Sequence, residues 1–155
     1  MKKISRLALV VAIVLALAAP AIAASFATGK YSGTTAQVNK RTGKHRKISF
    51  HADSTAAQIT NLKFVETGKC SDGGRSSGTQ KGLHADVDAN GDFQISAKST
   101  SGATKLKLSG HIGGSKANGT FSVKSRFNKD TNNPDPDGSI KCSTGTVKWS
   151  AKLQS

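Results

Sequence analysis

Apolar and polar residues alternate along almost the whole chain after residue 24, and this period of two constrains the fold more than any other feature. Phe93, Ile95 and Ala97 alternate with polar neighbours, for example. The pattern recurs over residues 147–153. Successive side chains of a strand point to opposite faces, so each such segment gains one apolar and one polar face. The sequence therefore predicts an all-β fold, an antiparallel sandwich or small barrel of about eight strands.

The apolar positions of these segments predict one shared core. The predicted core residues are Phe50, Leu62, Phe64, Phe93, Ile95, Leu106, Leu108, Phe121, Val123, Val147 and Trp149. Turn-forming pairs such as Asp137-Gly138 separate the segments. The alternation changes phase between Ile59 and Leu62, and again near Gly145. Each change predicts a β-bulge or the boundary of a strand.

The beginning of the chain has the organisation of an export signal. Three basic residues start it, an uninterrupted apolar run follows over residues 7–19, and Ala-Ile-Ala occupies residues 21–23. We predict a signal peptide over residues 1–23 and a single β domain over residues 24–155. The apolar run is shorter than the roughly 20 residues of a membrane span, and an uncleaved anchor is the alternative. Cleavage lowers the formal charge from +14 to +11 and predicts a secreted or otherwise extracytoplasmic protein.

The chain has two cysteines, Cys70 and Cys142. An even number of cysteines in an exported protein favours a disulfide, and their wide separation excludes a C-x-x-C redox or zinc motif. The longest loops are expected over residues 69–80, which are rich in Gly and Ser, and over residues 128–139, which hold two of the three prolines. A Cys70–Cys142 bond then joins the start of the first loop to the far end of the second.

Three short segments carry a resemblance to a known class of proteins. They are residues 29–34 (GKYSGT), residues 119–122 (GTFS) and residues 142–151 (CSTGTVKWSA). With the cysteine in mid-chain, they resemble small exported bacterial β-proteins of unknown function. The resemblance covers most of the predicted domain. It implies a β fold, a disulfide and export, and it implies no activity.

Positive charge is concentrated around the predicted turn Thr42-Gly43. The cationic residues there are Lys40, Arg41, Lys44, Arg46 and Lys47. A hairpin tip of this kind suits an anionic polymer of the cell surface or lipid headgroups. Nucleic acid is disfavoured because single-strand binding needs exposed aromatic rings, and only 5% of the residues are aromatic. A solvated basic hairpin without a partner is the simpler alternative.

An oxygen-rich stretch resembles the first half of a calcium loop. Its candidate ligands are Asp86, Asp88, Asn90 and Asp92, in the pattern D-x-D-x-N-G. The twelfth position of that pattern is Ala97 instead of Glu, so the sequence predicts a weak Ca²⁺ site or an ordinary turn. We expect a three-residue loop that sets Asp88 opposite Asp92 and continues as a hairpin pairing Val87 with Phe93.

The sequence shows no set of residues typical of an enzyme. Residues 74–78 match G-x-S-x-G but lack the strand–turn–helix context that a nucleophilic serine needs. The four histidines are scattered and form no metal-binding motif. We therefore predict a non-enzymatic exported β module, without a cofactor other than weak Ca²⁺, that contacts an anionic polymer or surface. A small-ligand or Ca²⁺-binding β-protein is the alternative, and a small secreted hydrolase is a more remote one.

Overall fold

A computed structural model describes residues 26–155, and the predicted signal peptide lies outside this range. The described residues form nine strands and no helix. The strands are β1 (Gly29–Val38), β2 (His45–Asp53), β3 (Gln58–Cys70), β4 (Arg75–Asp86), β5 (Asp92–Lys98), β6 (Thr104–Gly113), β7 (Lys116–Phe127), β8 (Ile140–Ser143) and β9 (Val147–Leu153). Within residues 26–155, no helix has the length and apolarity that crossing a membrane requires. The prediction of an all-β fold is confirmed.

All strand pairs are antiparallel, and the order along the sheet is β4-β3-β2-β1-β9-β7-β6-β5. The short strand β8 pairs with both β3 and β7. It therefore closes β1, β2, β3, β8, β7 and β9 into a six-stranded barrel. Strand β4 lies outside on β3, and β6 and β5 continue outward from β7. Of the two predicted architectures, the closed barrel with outer strands is the one observed.

The core is continuous and aromatic. Every residue predicted from the alternation is buried within one hydrophobic cluster, which confirms the assignment of strand faces. Phe50 stacks on Tyr31 with ring centroids 5.1 Å apart, and its ring meets Trp149 edge-on at 6.1 Å. The Phe64 and Phe121 centroids are 4.5 Å apart. The Phe50–Trp149 and Phe64–Phe121 contacts join strands that are not direct neighbours, so side chains fill the interior of the barrel.

Two glycines on neighbouring strands make room for this aromatic core. Gly110 and Gly119 are directly paired, and they lie between Phe93 on β5 and Trp149 on β9 in the same row. A Cβ atom on Gly110 would lie 2.4 Å from Phe93 Cζ and 2.6 Å from Trp149 Cζ2. The two rings therefore cover the backbone where no side chain fits.

The predicted disulfide is present. Cys70 and Cys142 are direct partners in the ladder between β3 and β8, so the bond lies across the closure of the barrel.

Of the two long loops expected from the sequence, the one over residues 128–139 is observed between β7 and β8. The prediction of a long loop over residues 69–80 is wrong, because β4 begins at Arg75 and only residues 71–74 connect it to β3. The Gly- and Ser-rich segment is held as a strand by its ladder with β3, without an apolar face of its own.

Both phase changes in the alternation have the expected cause. The β3–β4 register shifts between Ile59 and Leu62, and Asn61 has a positive φ of 54° there. The second change falls between β8 and β9, where Gly145 has a φ of 64°. The prediction of a bulge and of a strand boundary is confirmed at these two places.

Candidate functional site

The basic turn, residues 39–44, joins β1 to β2 and is shaped by Asn39. The Asn39 amide donates to the Lys44 carbonyl oxygen at 2.9 Å, and the Gly43 amide donates to the Asn39 carbonyl oxygen at 2.8 Å. The Asn39 side-chain oxygen accepts from the Arg41 amide at 3.0 Å. Gly43 has a φ of 68°, which glycine adopts at little cost. Lys40, Arg41 and Lys44 are therefore held exposed on a defined loop.

The other two predicted cations follow the turn on β2 and lie on opposite faces. Lys47 is exposed and pairs across the strands with Thr34. Arg46 is half-buried and shares the inward parity of Ile48. Its Nε atom is buried, with no hydrogen-bond partner among the described atoms. The structure therefore brings Lys40, Arg41 and Lys44 together on one turn and directs Arg46 towards the barrel interior.

A buried carboxylate, Glu66 on β3, faces the same interior. Its exposed fraction is 5%, and its carboxyl lies over Gly78 of β4, where a Cβ atom would come within 2.5 Å of Oε1. Burial raises the pKa of Glu66, and a hydrogen bond from Gln80 and the charge of Arg46 counteract that rise. Burial favours the neutral form of a carboxyl group, whereas a donor and a cation favour the charged form.

Glu66 was not among the predicted site residues, although its position in the alternation of β3 marks it as inward. Leu62, Phe64 and Glu66 share one parity on β3, so the alternation that placed the first two in the core also places Glu66 there. A charged residue at an inward position is uncommon and needs polar neighbours. Here Arg46 and Gln80 supply them.

The acidic turn, residues 86–92, has the loop that the sequence predicted. The Asp88 amide donates to the Asp92 carbonyl oxygen at 2.9 Å, and Gly91 has a φ of 87°. The prediction that the flanking strands continue as a hairpin, with Val87 paired to Phe93, is wrong. Val87 donates to the Ala57 carbonyl oxygen, and β5 pairs with β6 instead of β4. The turn therefore links the two ends of the sheet, and its flanking strands diverge.

Two of the three carboxylates of the acidic turn, those of Asp88 and Asp92, already have partners. Asp88 Oδ1 accepts from the amides of Asn90 and Asp92 at 2.8 and 2.9 Å. Asp92 Oδ1 lies 2.9 Å from His111 Nδ1. Asp86 is the exposed last residue of β4. Over residues 26–155, no three His, Cys, Asp or Glu side chains come close enough to hold a metal ion together. The Ca²⁺ site stays a prediction for which this geometry offers no support.

The lysine and arginine side chains in the described part of the chain form no ion pair within 4.0 Å. The Asp92–His111 contact is the one acid–base pair within 4.0 Å there, and no lysine or arginine takes part in such a pair. The chain has 23 Lys and Arg against 9 Asp and Glu. Because these cations are not neutralised by ion pairs within the protein, most of the positive charge is available to solvent or to a partner.

The G-x-S-x-G match spans the end of the β3–β4 turn and the beginning of β4, whose residues Arg75 to Gly78 pair with β3. The sharp strand-to-helix turn of a nucleophilic serine is thus not formed at this position.

Comparison of the chain with protein-family models, with curated proteins and with solved structures gave no match.

Proposed function

We propose that this protein is a non-enzymatic exported β-barrel module that binds an anionic polymer or surface through its basic turn. The observation that carries the proposal is the exposure of Lys40, Arg41 and Lys44 on a turn fixed by Asn39. None of the three has a carboxylate within 4.0 Å among the described residues. Unpaired cations held together raise the local concentration of an anionic partner and speed its association.

The disulfide between Cys70 and Cys142 supports the exported location, because such bonds persist in oxidising compartments.

The surface of the described residues favours an anionic partner over an apolar one. Val38 is the one large hydrophobic residue that is exposed in residues 26–155, at 45%. Stacking on bases requires exposed rings, and the Tyr31 and Trp149 rings lie in the core.

The test is binding of the purified protein to heparin, to long-chain polyphosphate and to phosphatidylglycerol vesicles over a range of NaCl concentrations. We expect binding to at least one probe that weakens steadily with salt. The variant Lys40→Ser/Arg41→Ser/Lys44→Ser should bind more weakly. A control with three exposed lysines changed elsewhere, Lys30→Ser/Lys63→Ser/Lys81→Ser, removes the same charge and should bind as the wild type does. Absence of binding at 50 mM NaCl would overturn the proposal.

A further inference from the structure

Three lysines on neighbouring strands lie directly opposite one another. Lys98 on β5 pairs with Lys105 on β6, and Lys105 pairs with Lys124 on β7. All three are exposed. Directly paired residues point to the same face of a sheet, so these side chains stand side by side on the outside of the molecule.

The same row continues through the strand that closes the barrel. Lys124 pairs with Ser143 on β8, and Ser143 pairs with Lys69 on β3. Lys69 in turn pairs with Arg75 on β4. We call the six consecutive positions the cationic row. Its members, in order, are Lys98, Lys105, Lys124, Ser143, Lys69 and Arg75.

The cationic row is long and electrostatically unfavourable in the free protein. Neighbouring strands lie about 4.8 Å apart, so six positions extend over about 24 Å. Like charges directly opposite on adjacent strands repel. No carboxylate of the described residues lies within 4.0 Å of any of these cations. Two carboxylates in adjoining turns accept local hydrogen bonds, Asp72 from the Gly74 amide and Asp135 from the Asp137 amide.

A cavity of about 320 Å³ opens on the row at its densest point. Lys105, Lys124 and Arg126 line it, together with Gly102, Ala103 and Pro136. Arg126 is oriented by a hydrogen bond from its Nη1 to the Pro136 carbonyl oxygen at 3.3 Å. Three cations thus converge on one concave site between the β5–β6 turn and the loop of residues 128–139.

The row and the basic turn lie at the same end of the barrel. The turn precedes β2, which runs antiparallel to β3, and Ile48 pairs with Phe64. The start of β2 therefore lies beside the end of β3, where Lys69 belongs to the row. The Gln37 side chain, just before the turn, exchanges hydrogen bonds with the backbone of Thr67 at 2.6 and 2.9 Å.

We infer that the cationic row binds a linear polyanion, a chain of closely spaced phosphate or sulfate groups, laid across the strands with one group in the cavity of Lys105, Lys124 and Arg126. The inference rests on the proposed function for the sign of the partner's charge and adds the site and the shape of the partner. A linear polymer follows a row that crosses six strands and bends round the closure of the barrel. A flat lipid surface contacts only part of such a row, and the described surface offers it no cluster of large apolar side chains to insert.

The experiment compares Lys105→Thr/Lys124→Thr with a control that removes the same charge. The control is Lys116→Thr/Lys152→Thr, a directly paired lysine couple at the other end of the barrel. Binding of long-chain polyphosphate, heparin and phosphatidylglycerol vesicles is measured as a function of NaCl. Polyphosphate and heparin separate phosphate from sulfate as the recognised group.

We expect the row variant to reduce the slope of log K against log [NaCl] by about 1.4–1.8 for the polymer, since each of its two lost phosphate contacts contributes about 0.7–0.9. The control should keep the wild-type slope. Equal losses in both variants, or vesicles bound more tightly than either polymer, would overturn the inference. If the row variant binds normally and the basic-turn variant does not, the row is excluded and the proposed function stands. If the wild type binds no probe, the proposed function fails first.

Discussion

Removing a lysine from the cationic row should stabilise the fold, although the same change should weaken binding of a polyanion. Lys105→Thr should stabilise the fold, because Lys105 faces a lysine on each side, Lys98 and Lys124. Unit charges about 5.5 Å apart in water repel by about 0.75 kcal/mol. A Debye length of about 8 Å at 0.15 M salt roughly halves this value. Splaying of the side chains lowers it further, so two pairs give about 0.5 kcal/mol.

This gain corresponds to a rise in Tm of about 2 °C for a domain of this size. Thermal unfolding followed by circular dichroism measures it at low and at high salt. The matched control is Lys107→Thr on the same strand and face, whose direct partners are Ser96 and Ser122. The gain of Lys105→Thr should exceed that of the control and should vanish in 1 M NaCl, where the Debye length is about 3 Å. A gain equal to the control's, or one unaffected by salt, would show that the lysines flanking Lys105 do not destabilise the fold.

Three further predictions concern the fold. Gly110→Ala should destabilise by about 1–3 kcal/mol in urea unfolding, because its Cβ would overlap the Phe93 ring; a loss below about 0.5 kcal/mol would contradict the packing. The raised pKa of Glu66 means that the folded state favours the protonated carboxyl. Stability should therefore fall as pH rises from the ordinary value of 4.5, and Glu66→Gln should flatten the profile; parallel profiles in urea titrations at pH 4–7 would exclude this. Removal of both Cys70 and Cys142, separated by 72 residues, should cost up to about 4 kcal/mol in urea unfolding, and unchanged stability would show that the bond adds nothing.

Alternation was enough to predict the fold class and the core because strand faces follow directly from a period of two. It failed where a strand lacks an apolar face. β8 has four residues, too few for the pattern to appear, yet it closes the barrel. The start of β4 is rich in Gly and Ser, and its inward positions include Gly78 and Gln80, the neighbours of Glu66. Pairing with β3 makes that segment a strand, and such pairing between strands is not visible in local sequence.

One part of the candidate site could be predicted from the sequence and another could not. The basic turn was predictable because its charges are adjacent in sequence and surround Thr42-Gly43. The cationic row was not, since Lys69 and Lys124 are brought into one row only by the register of β8 with both β3 and β7. Arg46 was grouped with the exposed cations by its position in sequence. Its parity with Ile48 places it on the inward side.

The proposed function and the cationic row both require that the cations of this protein bind a polyanion. The most direct measurement is the salt dependence of long-chain polyphosphate binding to the purified wild-type protein, titrated from 50 to 300 mM NaCl. Engagement of the row, five cations among six positions, predicts a slope of log K against log [NaCl] of about −3.5 to −4.5. A slope near zero, or no binding at 50 mM NaCl, would exclude binding of a polyanion by these cations.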